Sequence, residues 1–339
     1  MAACVPKRVI NNYEYTDFFS EEEVKKVVDK IGVYERRFAD KDICSSDLCY
    51  AAAEKLLTDN NINRNEIDLL IFISQTGDYR MPATAFLLQN RLQLSNSAIA
   101  FDINLGCSGF IYGLLVVYSI MQNSNLRKAL LLNGETRSKV YSPKDRQSAF
   151  IFGDAGTATL IEPLEDSRKS WFSLNSDGSK GNLIMIPGGG YRLPSSPETL
   201  SERVVDDHGN IRNLEQGFMK GSDVFTFVMT EVPKDIKKLF QISGQDVNSI
   251  DWFLFHQANN FINKHIAKRL KLDFSKIPST IQKYGNTSSV SIPLTIVDSL
   301  YNSMKEPGLL MLSAFGVGMS WATAILPYQS VHISPIVEI

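Results

Sequence analysis

The sequence predicts an α/β fold built from two duplicated halves, each a mixed sheet covered on both faces by helices. Three observations carry this. Largely apolar runs at 67–72, 129–133 and 252–255 have the composition of strands buried on both faces. They alternate with helical patterns at 82–92, 108–122 and 260–270, the order of βαβ units. The chain also repeats itself: Ile67-Asp68-Leu69-Leu70-Ile71-Phe72 recurs as Ile250-Asp251-Trp252-Phe253-Leu254-Phe255, 183 residues later. A polar pair precedes each copy, Asn65-Glu66 and Asn248-Ser249.

In chain order, the first half continues with a strand at 98–103 and the turn Gly106-Cys107-Ser108-Gly109. A long apolar helix to Gln122 and a strand at 129–133 follow. A further apolar strand at 155–161 leads into a charged segment, 163–169, where the boundary between the halves is expected, giving domains 1–165 and 166–339. Residues 187–210, rich in glycine, proline, serine and charge, read as an irregular excursion. Its Gly188-Gly189-Gly190 run has neither the following Lys-Ser/Thr of a P-loop nor the strand–helix context of a dinucleotide fingerprint. The second half supplies Gly285-Asn286-Thr287-Ser288, a helix to Ser303 and a strand at 309–313. At an offset of 179, Cys107 falls opposite Asn286, and Ala129-Leu130-Leu131-Leu132 opposite Gly308-Leu309-Leu310-Met311.

Composition narrows the function. The 339 residues carry 35 Lys+Arg against 37 Asp+Glu, a net charge of -2, which gives no global electrostatic case for binding nucleic acid. No apolar run reaches the roughly 18–20 residues that span a bilayer, and residues 1–10 lack the apolar core of a signal peptide. Four cysteines without CxxC spacing make neither a disulfide framework nor a zinc site. A soluble, cytoplasmic protein without nucleic-acid or membrane partners is expected.

Cys107 follows a strand, is flanked by Gly106 and Gly109, and opens a helix. The unpaired N–H groups and partial positive charge of a helix N-terminus are expected to lower its thiol pKa. The glycines let a substrate carbonyl approach the backbone. The alternative is a buried structural cysteine, which Cys4, Cys44 and Cys49 fit better. His256 ends an apolar strand before Gln257-Ala258-Asn259, at the strand edge where α/β folds bind ligands; a structural histidine is the other reading. His208, His265 and His332 have no such setting. Asn286 has the look of a helix N-cap. By the repeat, however, it holds the position of Cys107, so a pseudo-dyad would bring a thiol and an amide together. A thiolate nucleophile, an imidazole and amide donors then form one constellation. The candidate ligands lack the clustering of a metal site. The loop Ala314-Phe315-Gly316-Val317-Gly318-Met319 is either a plain turn or a source of oxyanion-binding amides in the same crevice.

These residues carry a resemblance. With Phe101-Asp102-Ile103-Asn104-Leu105-Gly106-Cys107-Ser108-Gly109-Phe110, Phe152-Gly153-Asp154-Ala155-Gly156, His256-Gln257-Ala258-Asn259, Gly285-Asn286-Thr287-Ser288 and Ala314-Phe315-Gly316 with Trp321, the chain resembles the β-ketoacyl-acyl carrier protein synthase III family of the thiolase superfamily. The resemblance runs from Val5 to Leu326 and implies a thiolase-like five-layer αβαβα fold from two βαβ-rich halves. It implies a triad of Cys107, His256 and Asn286 performing a ping-pong decarboxylative condensation of a Cys-bound acyl group with malonyl-acyl carrier protein, as in fatty acid biosynthesis. It further implies oxyanion amides from Cys107 and the Gly316, Val317 and Gly318 loop, Phe315 in the pocket, and a homodimer with the strand before Cys107 near its interface. Acyl-coenzyme A or acyl-carrier protein and malonyl-carrier protein are the implied substrates, and no metal or redox cofactor is called for.

The chain departs from the family pattern where coenzyme A and its pantetheine arm would lie. Lys26 stands for a usual tryptophan, Lys30 for an arginine and Ser222 for an asparagine, while Arg146 matches and Asn259 is a further candidate contact. Leu105-Gly106 replaces Ala-Ala, and Val317 and Met319 alter the C-terminal loop. A specialised member is expected, and the chain begins at the residues that normally end the family's first strand, which leaves open a native start upstream of Met1. Lys264, Lys268, Arg269 and Lys271, on the helix after His256, are either a solvated face or a docking patch for an acidic carrier protein. Three other activities compete. One is acyl transfer from Cys107 to a hydroxyl or amine, with His256 as base; family members of that type carry a carboxylate where Asn286 stands. Another is a non-catalytic partner subunit, against which Cys107 argues. Thioester hydrolysis, the last, would need water that a dry pocket excludes.

Overall fold

A computed structural model describes residues 1–164 and 168–339. The boundary expected at 165/166 lies outside the described residues. In chain order the first half contains β1 (Ala2–Val5), α1 (Glu21–Ile31), α2 (Ser45–Asp59), β2 (Leu69–Ile73), α3 (Thr84–Arg91), β3 (Ile99–Ile103), α4 (Gly109–Gln122), β4 (Ala129–Thr136) and β5 (Asp154–Ile161). Then come β6 (Trp171–Ser176), α5 (Gly221–Ser243), β7 (Trp252–Phe255), α6 (Asn260–Leu270), α7 (Ser291–Ser299), β8 (Gly308–Gly316), β9 (Ser320–Tyr328) and β10 (Val337–Glu338).

One sheet has the order β10-β1-β5-β4-β2-β3 and the other β7-β8-β9-β6. The parallel pair β2/β4 and the antiparallel steps to β5 and β1 are repeated by β7/β8, β9 and β6. The sequence repeat is therefore a structural one, and its aspartates show why it persists. Asp68 accepts from the backbone of Arg127 and Lys128, and Asp251 from that of Leu309, so each ties the start of its strand to the neighbouring strand. The duplication is incomplete: among the described residues β3 has no strand counterpart in the second sheet.

Five layers result. Helices α2 and α3 cover the outer face of the first sheet, α4 and α7 lie between the sheets, and α5 covers the outer face of the second with α6 beside it. Position explains composition. The central helix α4 meets sheet on two sides and is apolar nearly all round, as a helix without a solvent face must be. It also lies unusually close to the first sheet, since a Cβ on Gly113 would come 2.3 Å from Ile73 Cδ1. Outer helix α1, by contrast, carries a Ser20/Glu23 capping box and an exposed acidic first turn. The excursion at 187–210 contains the short helix Pro197–Leu200, and its strand Arg203–Val204 pairs with Ile211–Arg212. Among the described residues no helix is long and apolar enough to cross a membrane.

Candidate active site

Strands β3 and β7 end on the same side of the molecule, and the turns that follow them converge on a cavity of about 860 Å³. Its wall includes Cys107, His256, Asn286, Phe315, Gly316 and Val317, so the residues singled out from opposite ends of the chain meet there. Gly318 is not among the lining residues. Gly316 is needed as glycine: a Cβ there would stand 2.6 Å from Cys107 Cβ and 2.8 Å from its Sγ. The β8–β9 loop backbone thus presses directly on the thiol, and a side chain would block it. Gly106 is crowded in the same way by Gln75 Oε1, 2.5 Å from where its Cβ would be, which accounts for the glycine that replaces alanine before the cysteine.

Asn286 is not a helix cap. Its backbone is clamped by Ile151 and Gly153, with Asn286 N donating to the Ile151 carbonyl at 2.8 Å and Gly153 N donating to the Asn286 carbonyl at 3.2 Å. Its Oδ1 accepts from Ser288 N at 2.9 Å, an Asx turn that leaves the side-chain NH₂ uncommitted at the cavity wall. Arg36, almost fully buried, braces the clamp from behind by donating to the Phe152 carbonyl at 3.1 Å and to Asn12 Oδ1 at 2.7 Å.

His256 is held by its Nδ1, 2.8 Å from Ser291 Oγ, which also accepts from Gln257 N at 3.3 Å. Ser291 Oγ keeps its own proton and a second lone pair, so it can serve Nδ1 as donor or acceptor; as donor it holds the tautomer with the ring proton on Nε2. Burial drives the His256 pKa down to about 3, Arg137 pushes the same way, and the Ser288 backbone opposes, so the ring is neutral at physiological pH. The expected depression of the Cys107 thiol is reversed. Burial raises its pKa above the usual thiol value, while Arg137 and the Ser288 hydroxyl, 3.8 Å from Sγ, pull it back and Glu135 adds to the rise. A helix terminus assists a thiolate only to the extent that desolvation does not outweigh it, and at 8% exposure desolvation wins.

The expected coenzyme A contacts Lys30, Arg146, Ser222 and Asn259 line the outer part of the same cavity, whereas Lys26 does not line it. Arg146 pairs with Glu23 at 2.8 Å. Asn259 spends Oδ1 on capping α6 through Ile262 N at 2.8 Å, which leaves its amide N–H groups. Lys264, Lys268, Arg269 and Lys271 are exposed on or just after α6, where Arg269 donates to the Met229 carbonyl. Three residues that the sequence reading passed over, Arg36, Arg137 and Ser291, now stand at or behind the site, and Ser288, read only as part of the 285–288 motif, faces the thiol. The one legible signal was Arg137, a charge immediately after an apolar strand; the others depend on contacts across the fold.

Comparison with known proteins places this geometry. Residues 101–178 match the model of 3-oxoacyl-[acyl-carrier-protein (ACP)] synthase III and residues 240–328 that of its C-terminal part. The chain is 32% identical to a β-ketoacyl-[acyl-carrier-protein] synthase III of Caldanaerobacter subterraneus, covering 96% of this chain and 95% of that one. It is 30% identical to the synthase III of Fusobacterium nucleatum, covering 97% of each. The crystal structure of a 3-oxoacyl-(acyl-carrier protein) synthase from Burkholderia xenovorans superposes with a TM-score of 0.93 at 39% identity, over 100% of this chain and 95% of that one. The chain belongs to the 3-oxoacyl-[acyl-carrier-protein] synthase III family and has its thiolase fold.

Proposed function

From membership of that family and from the cavity chemistry, we propose that the chain is an acyltransferase that condenses a Cys107-bound acyl group with malonyl-acyl carrier protein. In the first half-reaction the Cys107 thiolate attacks an acyl thioester, forming the new S–C bond as the donor C–S bond breaks. The thiol proton ends on the departing thiol. The backbone N–H groups of Cys107 and the Gly316 loop hold the oxyanion, the role that the close approach of Gly316 to Sγ supports. In the second, malonyl decarboxylation leaves an enolate whose oxygen accepts from His256 Nε2–H and the Asn286 amide. Its carbon attacks the acyl carbonyl, the Cys107 thiolate leaves, and a β-ketoacyl thioester is released. Neutral donors suit this step because they stabilise a charge that exists only along the reaction.

The observation that carries the reading is the meeting of one thiol, one neutral imidazole and one uncommitted amide in a single buried wall. Lys30, Arg146, Ser222 and Asn259 would line the path of the coenzyme A or pantetheine arm, and Lys264, Lys268 and Arg269 would face the acidic carrier protein. The partly exposed edge strand β3 is the expected homodimer contact, and 1–165 and 166–339 are the two halves. Intact-protein mass spectrometry tests the whole scheme. An acyl adduct should form from acyl thioesters, be absent in Cys107→Ala, and discharge with carbon dioxide when malonyl-carrier protein is added. Discharge only by an alcohol or amine would replace condensation with simple acyl transfer.

A further inference from the structure

The cavity wall holds a charge that bears on Cys107 and His256 but to which the condensation assigns no contact with substrate. Arg137 is 4% exposed, lines the cavity together with Cys107, and shares the wall with a stacked aromatic pair, Tyr141 and Phe152, whose ring centroids are 4.0 Å apart. Its guanidinium carbon lies 5.2 Å from the Tyr141 ring centroid and 5.5 Å from that of Phe152. Its hydrogen bonding is incomplete. Nη2 donates to Tyr141 Oη at 2.9 Å, Nη1 reaches Gln75 Oε1 only at 3.4 Å, and Nε has no partner. Among the described residues no carboxylate hydrogen-bonds to it. Glu135, the buried acid two residues before it, accepts instead from Gln75 N at 3.2 Å and Thr76 Oγ1 at 2.9 Å; burial pushes its pKa up, the Arg137 charge pulls it back, and Glu135 in turn favours the charged guanidinium. A buried guanidinium with five donors and one good bond is costly unless something completes it.

We infer that Arg137 is a specificity-determining residue, and that the acyl group carried by Cys107 bears an acceptor oxygen on its tail, a carboxylate fitting best, which the Arg137 guanidinium binds in the cavity floor. The inference rests on the condensation reading above and adds the substrate class to it. A plain alkyl chain would leave Nε without a partner in an even drier pocket once the mouth is filled. An oxygen-bearing chain supplies the charge-assisted bond that the protein does not. The departure at Gly106 belongs to the same device: the missing methyl makes room for Gln75, whose Oε1 faces both Gly106 and Arg137 Nη1.

The test compares rates of Cys107 acylation by butyryl, 3-hydroxybutyryl and succinyl thioesters of coenzyme A and of carrier protein, read by intact mass. Wild-type protein should favour an oxygen-bearing donor over butyryl by roughly 10- to 100-fold, the size expected of one charge-assisted hydrogen bond. Arg137→Leu should reverse that ratio and Arg137→Lys should restore part of it. Because each value is a ratio within one protein, a loss of folded material cancels. The succinyl and 3-hydroxybutyryl arms separate a carboxylate from a neutral oxygen. A ratio unmoved by Arg137→Leu, even with all rates lowered together, would assign Arg137 to the thiolate and overturn the inference while leaving condensation in place. A wild-type preference for butyryl would overturn it equally. A Cys107 that no donor acylates would sink the condensation reading itself, and the inference with it.

Discussion

The turns after β3 and before α7 occupy equivalent places in the two halves, yet they are built to different ends. The first presents Cys107 on a backbone packed too closely at Gly106 and Gly109 to admit side chains, with the Gly316 loop pressed on its sulfur. The second presents Asn286 from a backbone clamped on both sides, followed by Ser288 in the left-handed region at φ 55°. Strand β3 feeds the first turn, while the second has no matching strand and takes its rigidity from 151–153 and Arg36 instead. Duplication supplied two facing turns; their divergence separated the work. One half carries the group that changes its bonding, the other carries groups that stay neutral.

That division makes different variants fail at different steps. Cys107→Ala has the largest expected effect, abolishing the acyl adduct altogether in intact mass spectra, and an unimpaired variant would break the comparison outright. Asn286→Ala should slow condensation by roughly 10²- to 10³-fold, the usual loss for one oxyanion donor. Acylation, measured separately by single-turnover mass shift, should change little. Equal loss in both half-reactions would mean that the two turns do not divide the chemistry. Ser291→Ala removes the hydroxyl that holds the His256 ring and should cost about tenfold or less in condensation, with acylation again spared.

The smallest expected effect is in the pH profile. With its thiol pKa raised by burial, acylation should keep rising with pH beyond the ordinary cysteine range rather than levelling off near neutrality. His256, neutral down to about pH 3, should contribute no acid limb near pH 6.5. A rate that falls with a midpoint near 6.5 and loses that midpoint in His256→Gln would show instead that the ring titrates in the working range.

Much of the site was legible because it is written in local pattern. Glycines flank Cys107, His256 terminates an apolar run, and Asn286 sits at the offset the repeat defines. Local pattern also misled. A helix start was expected to acidify Cys107, but burial in the cavity wall reverses the shift, and burial depends on loops from the far half of the chain. Asn286 resembled a cap because capping and Asx turns use the same side chain at the same spacing from a helix.

What the sequence by itself determined was the duplicated α/β architecture and the identity of the residues facing one crevice, since both follow from hydrophobic period, turn residues and an internal repeat. Only the tertiary structure decided which of their atoms are committed and which are left over: the Ser291 bond that orients His256, the clamp that holds the Asn286 backbone at the cavity wall, and the Arg137 Nε that has no partner. The reason is physical. Protonation state and hydrogen-bond satisfaction depend on what surrounds a group within a few ångströms, and those surroundings include segments from 35 to 181 residues away along the chain.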